Sequence, residues 1–163
     1  MDVIHQDWIA STAAAAKQAG HIFPEMAAAE AALESNFGRS TLAVSGNNLF
    51  GMKQHTHPVY GTLSLPTHEY LNGQYVAVNA DWVKYPTLEE CFADRMATLR
   101  RLQDVYPEYA AALAAPDAYG YVYEVSRRWS TDPKRADKVS SIYQTYFGSN
   151  NSENVQEATA GEN

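Results

Sequence analysis

Cysteine is nearly absent. Cys91 is the single one in 163 residues, so no disulfide can form within the chain. Its neighbour Phe92 is apolar, which points to a buried structural thiol rather than a nucleophile. Positive charge is also scarce: 12 Lys and Arg against 19 Asp and Glu leave a formal charge of −7. Nucleic acids and anionic membrane surfaces both reward a basic patch, and the sequence offers none, whereas a neutral sugar chain is compatible. No run approaches the roughly 20 apolar residues that span a bilayer, so no membrane partner is expected. The alanine run 13–16 is short, lies near Asp2, Asp7 and Lys17, and has neither a basic leader nor a cleavage pattern, so no signal peptide is expected. No internal repeat is present.

Hydrophobic residues make up 45% of the chain, enough for one domain with a real core and too few residues for two. That domain is expected over 1–148. The tail 149–163 is rich in Asn, Ser, Glu and Gly, cannot offset its ordering entropy and is expected to be disordered. An Ala-rich stretch from His5 to Ala19, anchored by Trp8 and Ile9 and stopped by Gly20, reads as a helix. Pro24 opens a second helix to about Asn36, with Gly38 as its stop. The segment 45–60 reads as an ordered loop. Asn72-Gly73 between 62–71 and 74–79 predicts a hairpin with Glu69 opposite Val76. Thr87 and Glu90 form a capping box for a helix whose inward stripe is Leu88, Phe92, Met96, Leu99 and Leu102. Shorter helices are expected over 107–114 and 117–128, and a last one runs from Thr131-Asp132-Pro133 through Tyr146 to Gly148.

In the second helix Met26, Glu30, Leu33 and Phe37 fall on one stripe, with Glu34 one turn beyond Glu30. Glycoside cleavage needs a carboxyl that is still protonated near neutral pH, and a helix C-terminus beside a second carboxylate disfavours ionisation. Glu34 fits that need, although spacing alone favours a solvated glutamate at a helix end. His55, His57 and His68 with Glu69 match no standard zinc spacing, so no metal is expected. Among the 11 tyrosines, Tyr60, Tyr70 and Tyr121 are candidate sugar platforms, with amphipathic packing as the alternative.

The string Ala31-Ala32-Leu33-Glu34-Ser35-Asn36-Phe37-Gly38-Arg39-Ser40, followed by Asn47-Asn48-Leu49-Phe50-Gly51-Met52-Lys53, resembles the core signature of bacterial glucosaminidase domains, glycoside hydrolase family 73. The likeness continues through Thr67-His68-Glu69-Tyr70, Trp82 to Tyr85, Ser130-Thr131-Asp132-Pro133 and Lys138-Val139. It implies an α+β, lysozyme-like fold with a helical lobe and a small hairpin lobe flanking a cleft. It also implies a monomeric endo-β-N-acetylglucosaminidase without cofactor, acting on peptidoglycan glycan strands outside the cytoplasm, at the wall or in the periplasm. By position Glu34 is the general acid. Glu69 is the second acid, activating water or stabilising the positive transition state, although an outward strand carboxylate reads as readily. Glu30, Asn48, Phe50, Tyr60, Tyr70, Tyr121 and Trp129 are expected at the substrate, the Asn-Leu-Phe-Gly turn lying beneath the cleft.

The sequence departs from the pattern at four positions. Glu30 stands where glutamine is usual, and its carboxylate is expected to couple to Glu34 so that the pair titrates jointly and one member keeps its proton. Trp129 and Arg135 stand where tyrosines are usual, and Val83 where arginine is common. Inversion, retention and participation of a substrate acetamido group all stay open. The same fold serves muramidases and lytic transglycosylases, and a wall-binding module without catalysis is the alternative of another class. Autolysin, phage endolysin and secreted effector are the contexts the resemblance allows.

Overall fold

The computed structural model describes the backbone of residues 2–160 and the side chains of residues 2–148. Its order is α1 (Val3–Gln18), α2 (Pro24–Ser35), α3 (Thr41–Gly46), β1 (Gly61–Leu71), β2 (Gln74–Lys84), α4 (Leu88–Leu102), α5 (Pro107–Leu113), α6 (Ala118–Trp129) and α7 (Arg135–Ala160). The expected α+β division into a helical lobe and a hairpin lobe is present. The last helix does not stop at the expected Gly148 but continues through it as α7. The expectation of a disordered tail over 149–163 falls where the side chains of 149–160 and all of 161–163 lie outside the described residues.

Local signals set the helix ends. Asp2 accepts a hydrogen bond from Ile4 N at 2.9 Å and opens α1, Pro24 opens α2, and Thr87 accepts from Glu90 N at 3.2 Å to open α4. The helix α3 lies between two elements foreseen from sequence and was not foreseen itself. Its caps are Ser40, whose hydroxyl accepts from Ala43 N at 3.2 Å, and Asn47 in the left-handed region. Six residues are too few for a hydrophobic period to show.

The centre of the helical lobe is α2, which packs against α1, α6 and α7. Every side chain from Met26 to Ala32 is buried. Five of those seven are alanine, and their small size lets neighbouring helices approach closely on all sides, as burial all round requires. One core cluster joins Ile9, Met26, Met96, Leu99, Val125 and Val139. A second lies under the loop after α3 and joins Leu49, Phe50, Met52, Val83, Tyr85 and Phe92.

Strands β1 and β2 pair antiparallel through all 11 positions, with Glu69 opposite Val76 as the turn signal requires. β2 runs five residues beyond the expected end at Asn79 because the loop after α3 is seamed onto its base. Val83 N donates to Met52 O at 3.0 Å, Gln54 N to Asp81 O at 2.8 Å and Tyr85 N to Gly46 O at 2.8 Å. Among the described residues no helix is long and apolar enough to cross a membrane.

Candidate active site

Glu34 occupies the last turn of α2, where the chain leaves the helix through an unusual bend. Asn36, Phe37 and Gly38 all have positive φ, at 52°, 53° and 75°. A left-handed phenylalanine costs about 1–2 kcal/mol, so the surroundings must hold it. They do so on both sides. Ser35 Oγ donates to Ala31 O at 2.6 Å and accepts from Gly38 N at 2.9 Å, while the Phe37 ring stacks on His5 at 3.9 Å and meets Trp8 and Tyr146 edge-on. The bend fixes the helix end and with it the Glu34 backbone. The Glu34 side chain is 27% exposed.

Below Glu34 lies a buried ionic lattice. Glu30, fully buried, accepts from Arg95 Nη1 at 3.0 Å on Oε1 and from Arg95 Nη2 at 2.7 Å on Oε2. Tyr121 donates its hydroxyl to Oε1 at 2.6 Å, and Arg135 Nη2 reaches Oε2 at 2.8 Å. Arg135 then spans to Glu34, donating from Nε to Oε1 at 2.9 Å, and to Ser126 Oγ from Nη1 at 2.8 Å. The Arg95 guanidinium carbon lies 4.5 Å from the ring centres of both Phe50 and Trp129, whose planes meet edge to face. Burial alone would raise the Glu30 pKa, but the two guanidinium groups and their hydrogen bonds outweigh it and hold the carboxyl well below the usual range.

This lattice corrects the expectation for Glu30. It is enclosed and does not reach a substrate, and its charge is compensated by Arg95 and Arg135 instead of bearing on Glu34. Tyr121 is likewise enclosed, fully buried with its hydroxyl committed to Glu30, and is not a sugar platform. Asn48 is 1% exposed and its amide clasps the loop: Nδ2 donates to Met52 O and Val83 O, both at 2.9 Å, and Oδ1 accepts from Met52 N at 3.0 Å. Phe50 is 4% exposed and packs on Phe92. Both therefore support the site from beneath and are corrected from substrate contacts to framework. Three of the four departures also lie inside. Val83 is in the core, Glu30 and Arg135 are partners in one salt bridge, and the half-buried Trp129 packs on Phe50, Tyr109 and Arg95.

Glu69 and Tyr70 are exposed near the hairpin tip. Glu69 shares a sheet face with Leu63, Leu65 and Thr67, and Leu63 on that face approaches Gly46 of α3. Tyr70 points to the opposite face, 65% exposed, its ring 5.1 Å from that of Tyr75. Tyr60 is half-buried against Tyr85, donates to Glu90 Oε2 at 2.8 Å, and is pushed up to about 12 by burial and by that bond. Cys91 is fully enclosed, and burial pushes its thiol up to about 12, away from nucleophilic use. Among the described residues no group of three His, Cys, Asp or Glu is placed to hold a metal ion.

Sequence reasoning passed over Arg95. Its signal was available, since Arg95 lies four residues after Cys91 and three after Phe92, on the inward stripe of α4, where a cation demands a buried anion. It also passed over a groove of about 840 Å³ at the α6–α7 junction, lined by Ser126, Arg128, Ser130, Thr131, Asp132 and Pro133 among others. Ser126 links that groove to Arg135 and so to Glu34.

Comparison with known proteins places these features in a family. The profile described as mannosyl-glycoprotein endo-beta-N-acetylglucosaminidase matches residues 10–148. Over 136 residues the chain is 31% identical to the exo-glucosaminidase LytG of Bacillus subtilis, covering 77% of this chain and 45% of that one. Over 121 residues it is 35% identical to the peptidoglycan hydrolase FlgJ of Salmonella typhimurium, covering 71% of this chain and 37% of the other. The chain thus spans less than half the length of these curated relatives. Among solved structures, the catalytic domain of the autolysin Auto from Listeria monocytogenes superposes with a TM-score of 0.76 at 27% identity, over 90% of this chain and 86% of that one. The truncated glycoside hydrolase domain of Salmonella FlgJ gives 0.68 at 28% identity, over 86% of this chain and 96% of the other.

Proposed function

The chain belongs to the glucosaminidase family, a lysozyme-like family of glycoside hydrolases, and on that premise we propose that it hydrolyses β-1,4 bonds in peptidoglycan glycan strands with Glu34 as general acid. The observation that carries this reading is the placement of the Glu34 carboxyl. It is partly exposed at the edge of the helical lobe, and among the described residues only its Oε1 has a hydrogen-bond partner. Oε2 is left to carry a proton toward a substrate oxygen. When that proton reaches the glycosidic oxygen, the C1–O bond breaks and its electron pair stays on the departing sugar. Water then supplies the hydroxyl at C1, and its other proton passes to one of the two carboxylates, which restores the proton count of the pair.

Glu69 is proposed as the second acid, acting from the hairpin on positive charge at C1 or on the attacking water. Its place on the face shared with Leu63 supports the assignment, because that face is turned toward α3. Tyr70, exposed on the opposite face of the hairpin against Tyr75, is left out of the proposed site. The substrate class rests on relatives named autolysin and peptidoglycan hydrolase, and action at the cell wall is inferred from it.

Purified cell-wall sacculi, digested with the wild type, Glu34→Gln and Glu69→Gln and read by mass spectrometry of the released ends, test the proposal. The expected product carries N-acetylglucosamine at its reducing end. Glu34→Gln should lose about 10³-fold or more in turnover, within the range of a lost general acid, and Glu69→Gln less. Muramic acid ends would mean a muramidase, anhydro ends a lytic transglycosylase, and binding without release a wall-binding module. Undiminished turnover by Glu34→Gln would remove Glu34 from the mechanism.

A further inference from the structure

Resting on the reading of Glu34 as proton donor, we propose that Arg135 is its positioning residue, selecting Oε2 as the oxygen that carries the proton and stabilising the carboxylate as the proton leaves. Arg135 is the first residue of α7 and is buried. Each of its three nitrogens is committed: Nε to Glu34, Nη1 to Ser126 and Nη2 to Glu30. Three points fix a plane, so the guanidinium cannot rotate without breaking a bond inside the protein. Glu30 cannot yield either, because Arg95 grips it through two bonds and Tyr121 through a third. The Nε–H vector aimed at Glu34 is therefore set before substrate arrives.

That geometry acts on the chemistry in two ways. The bond to Oε1 anchors the carboxyl and, among the described residues, leaves Oε2 without a hydrogen-bond partner. As the proton passes from Oε2 to the glycosidic oxygen, Glu34 gains a full negative charge, and the bond from Arg135 becomes charge-assisted on both sides. Once Glu34 is protonated, an interaction that strengthens as charge develops lowers the barrier to proton transfer, and a cation already fixed in place needs no reorganisation to supply it. Arg135 keeps its own protons throughout. Its third bond, from Nε to the partly exposed Glu34 carboxyl at the site edge, ties the acid to the same fixed frame.

Leaving-group dependence tests this. Departure of a sugar oxygen needs protonation, whereas a dinitrophenolate leaves without it, so loss of acid catalysis is felt on the first substrate and spared on the second. Arg135→Met, Arg135→Lys and Ser126→Ala in the full chain would be compared with the wild type on a glycan and on the dinitrophenyl glycoside of the same saccharide. Arg135→Met should lose about 10²-fold in kcat on the glycan, the scale of one lost preorganised donor, and only a few-fold on the aryl glycoside. Arg135→Lys should recover part of that loss, because an ammonium supplies charge without the three-way fork. Ser126→Ala removes one anchor and retains the ion pairs, so it should show the same selective pattern at roughly a tenth of the size. It decides the matter if Arg135→Met does not fold. Equal losses on both substrates, or no loss on the glycan, would overturn the role for Arg135. Glu34→Gln on the same pair keeps the two readings apart: full glycan turnover there would dismiss Glu34 itself, whatever Arg135 does.

Discussion

At the scale of single residues, the protein is governed by charges and polar groups that have been taken out of water. Glu30 would be untenable in the middle of α2 without Arg95 and Arg135, and the two arginines would be untenable without it. His21 borders the same lattice: its Nε2 lies 3.4 Å from the Tyr121 hydroxyl, and its Nδ1 accepts from Phe23 N at 3.0 Å. Burial, reinforced by the positive charge of Arg95, pushes His21 down to about 3. The unfolded chain therefore binds a proton near pH 6.5 that the folded chain refuses until about pH 3, and stability must fall as pH drops through that interval. Glu30 acts in the same direction at lower pH, since the stability it contributes is complete above its unfolded value of 4.5 and declines below it. The melting temperature should accordingly decrease from pH 6.5 to pH 3. His21→Asn, which keeps an acceptor for Phe23 N and does not titrate, should flatten the upper part of that slope. A slope identical to the wild type would show that His21 is not its source.

At the scale of elements, α2 and the hairpin divide the labour. The helix is enclosed on all sides and carries Glu34 on a rigid end, whereas the hairpin is mostly exposed beyond its base and carries Glu69 near its tip. The turn Asn72-Gly73 has φ of 51° and 80°, the left-handed pair that matches strand twist. A β-branched residue at the second position costs about 1–2 kcal/mol, and that cost should be confined to the hairpin because its outer half contributes nothing to either core cluster. Gly73→Val is thus expected to speed amide hydrogen exchange over residues 65–78 and lower turnover on sacculi, with little change in global melting. A large drop in melting temperature would instead mean that the hairpin folds as one unit with the helices.

At the scale of the whole molecule, the strained bend after α2 is held by the helix that precedes α2 in the chain. Trp8 of α1 is packed against both core clusters and lies directly over Gly38. A Cβ at position 38 would run into the Trp8 indole while facing a φ of 75° that disfavours any side chain. Gly38→Ala should therefore destabilise by about 2–4 kcal/mol, combining backbone strain with overpacking, as measured by urea unfolding. Because the bend anchors Glu34, turnover of the folded fraction should fall as well. A stability change below about 0.5 kcal/mol would mean that Trp8 moves aside freely.

Much of this architecture was written in local chemistry. Asn72-Gly73 fixed the hairpin register, Thr87 and Glu90 the start of α4, Pro24 the start of α2, and the Leu88 to Leu102 stripe the inward face of α4. Each depends on residues within a few positions of one another, so sequence alone determined it. The site was only half legible on those terms. Glu34 and Glu69 stand out by motif, but the partners of Glu30 lie 65, 91 and 105 residues away, and no local pattern announces that Arg95, Tyr121 and Arg135 converge on it. Glu30 looks in sequence like a second acid beside Glu34, and in space it is the buried counter-charge that fixes an arginine against Glu34. That exchange of role was decided by tertiary packing, because the fate of a carboxylate depends on which charges share its low-dielectric surroundings, and only the folded chain brings those charges together.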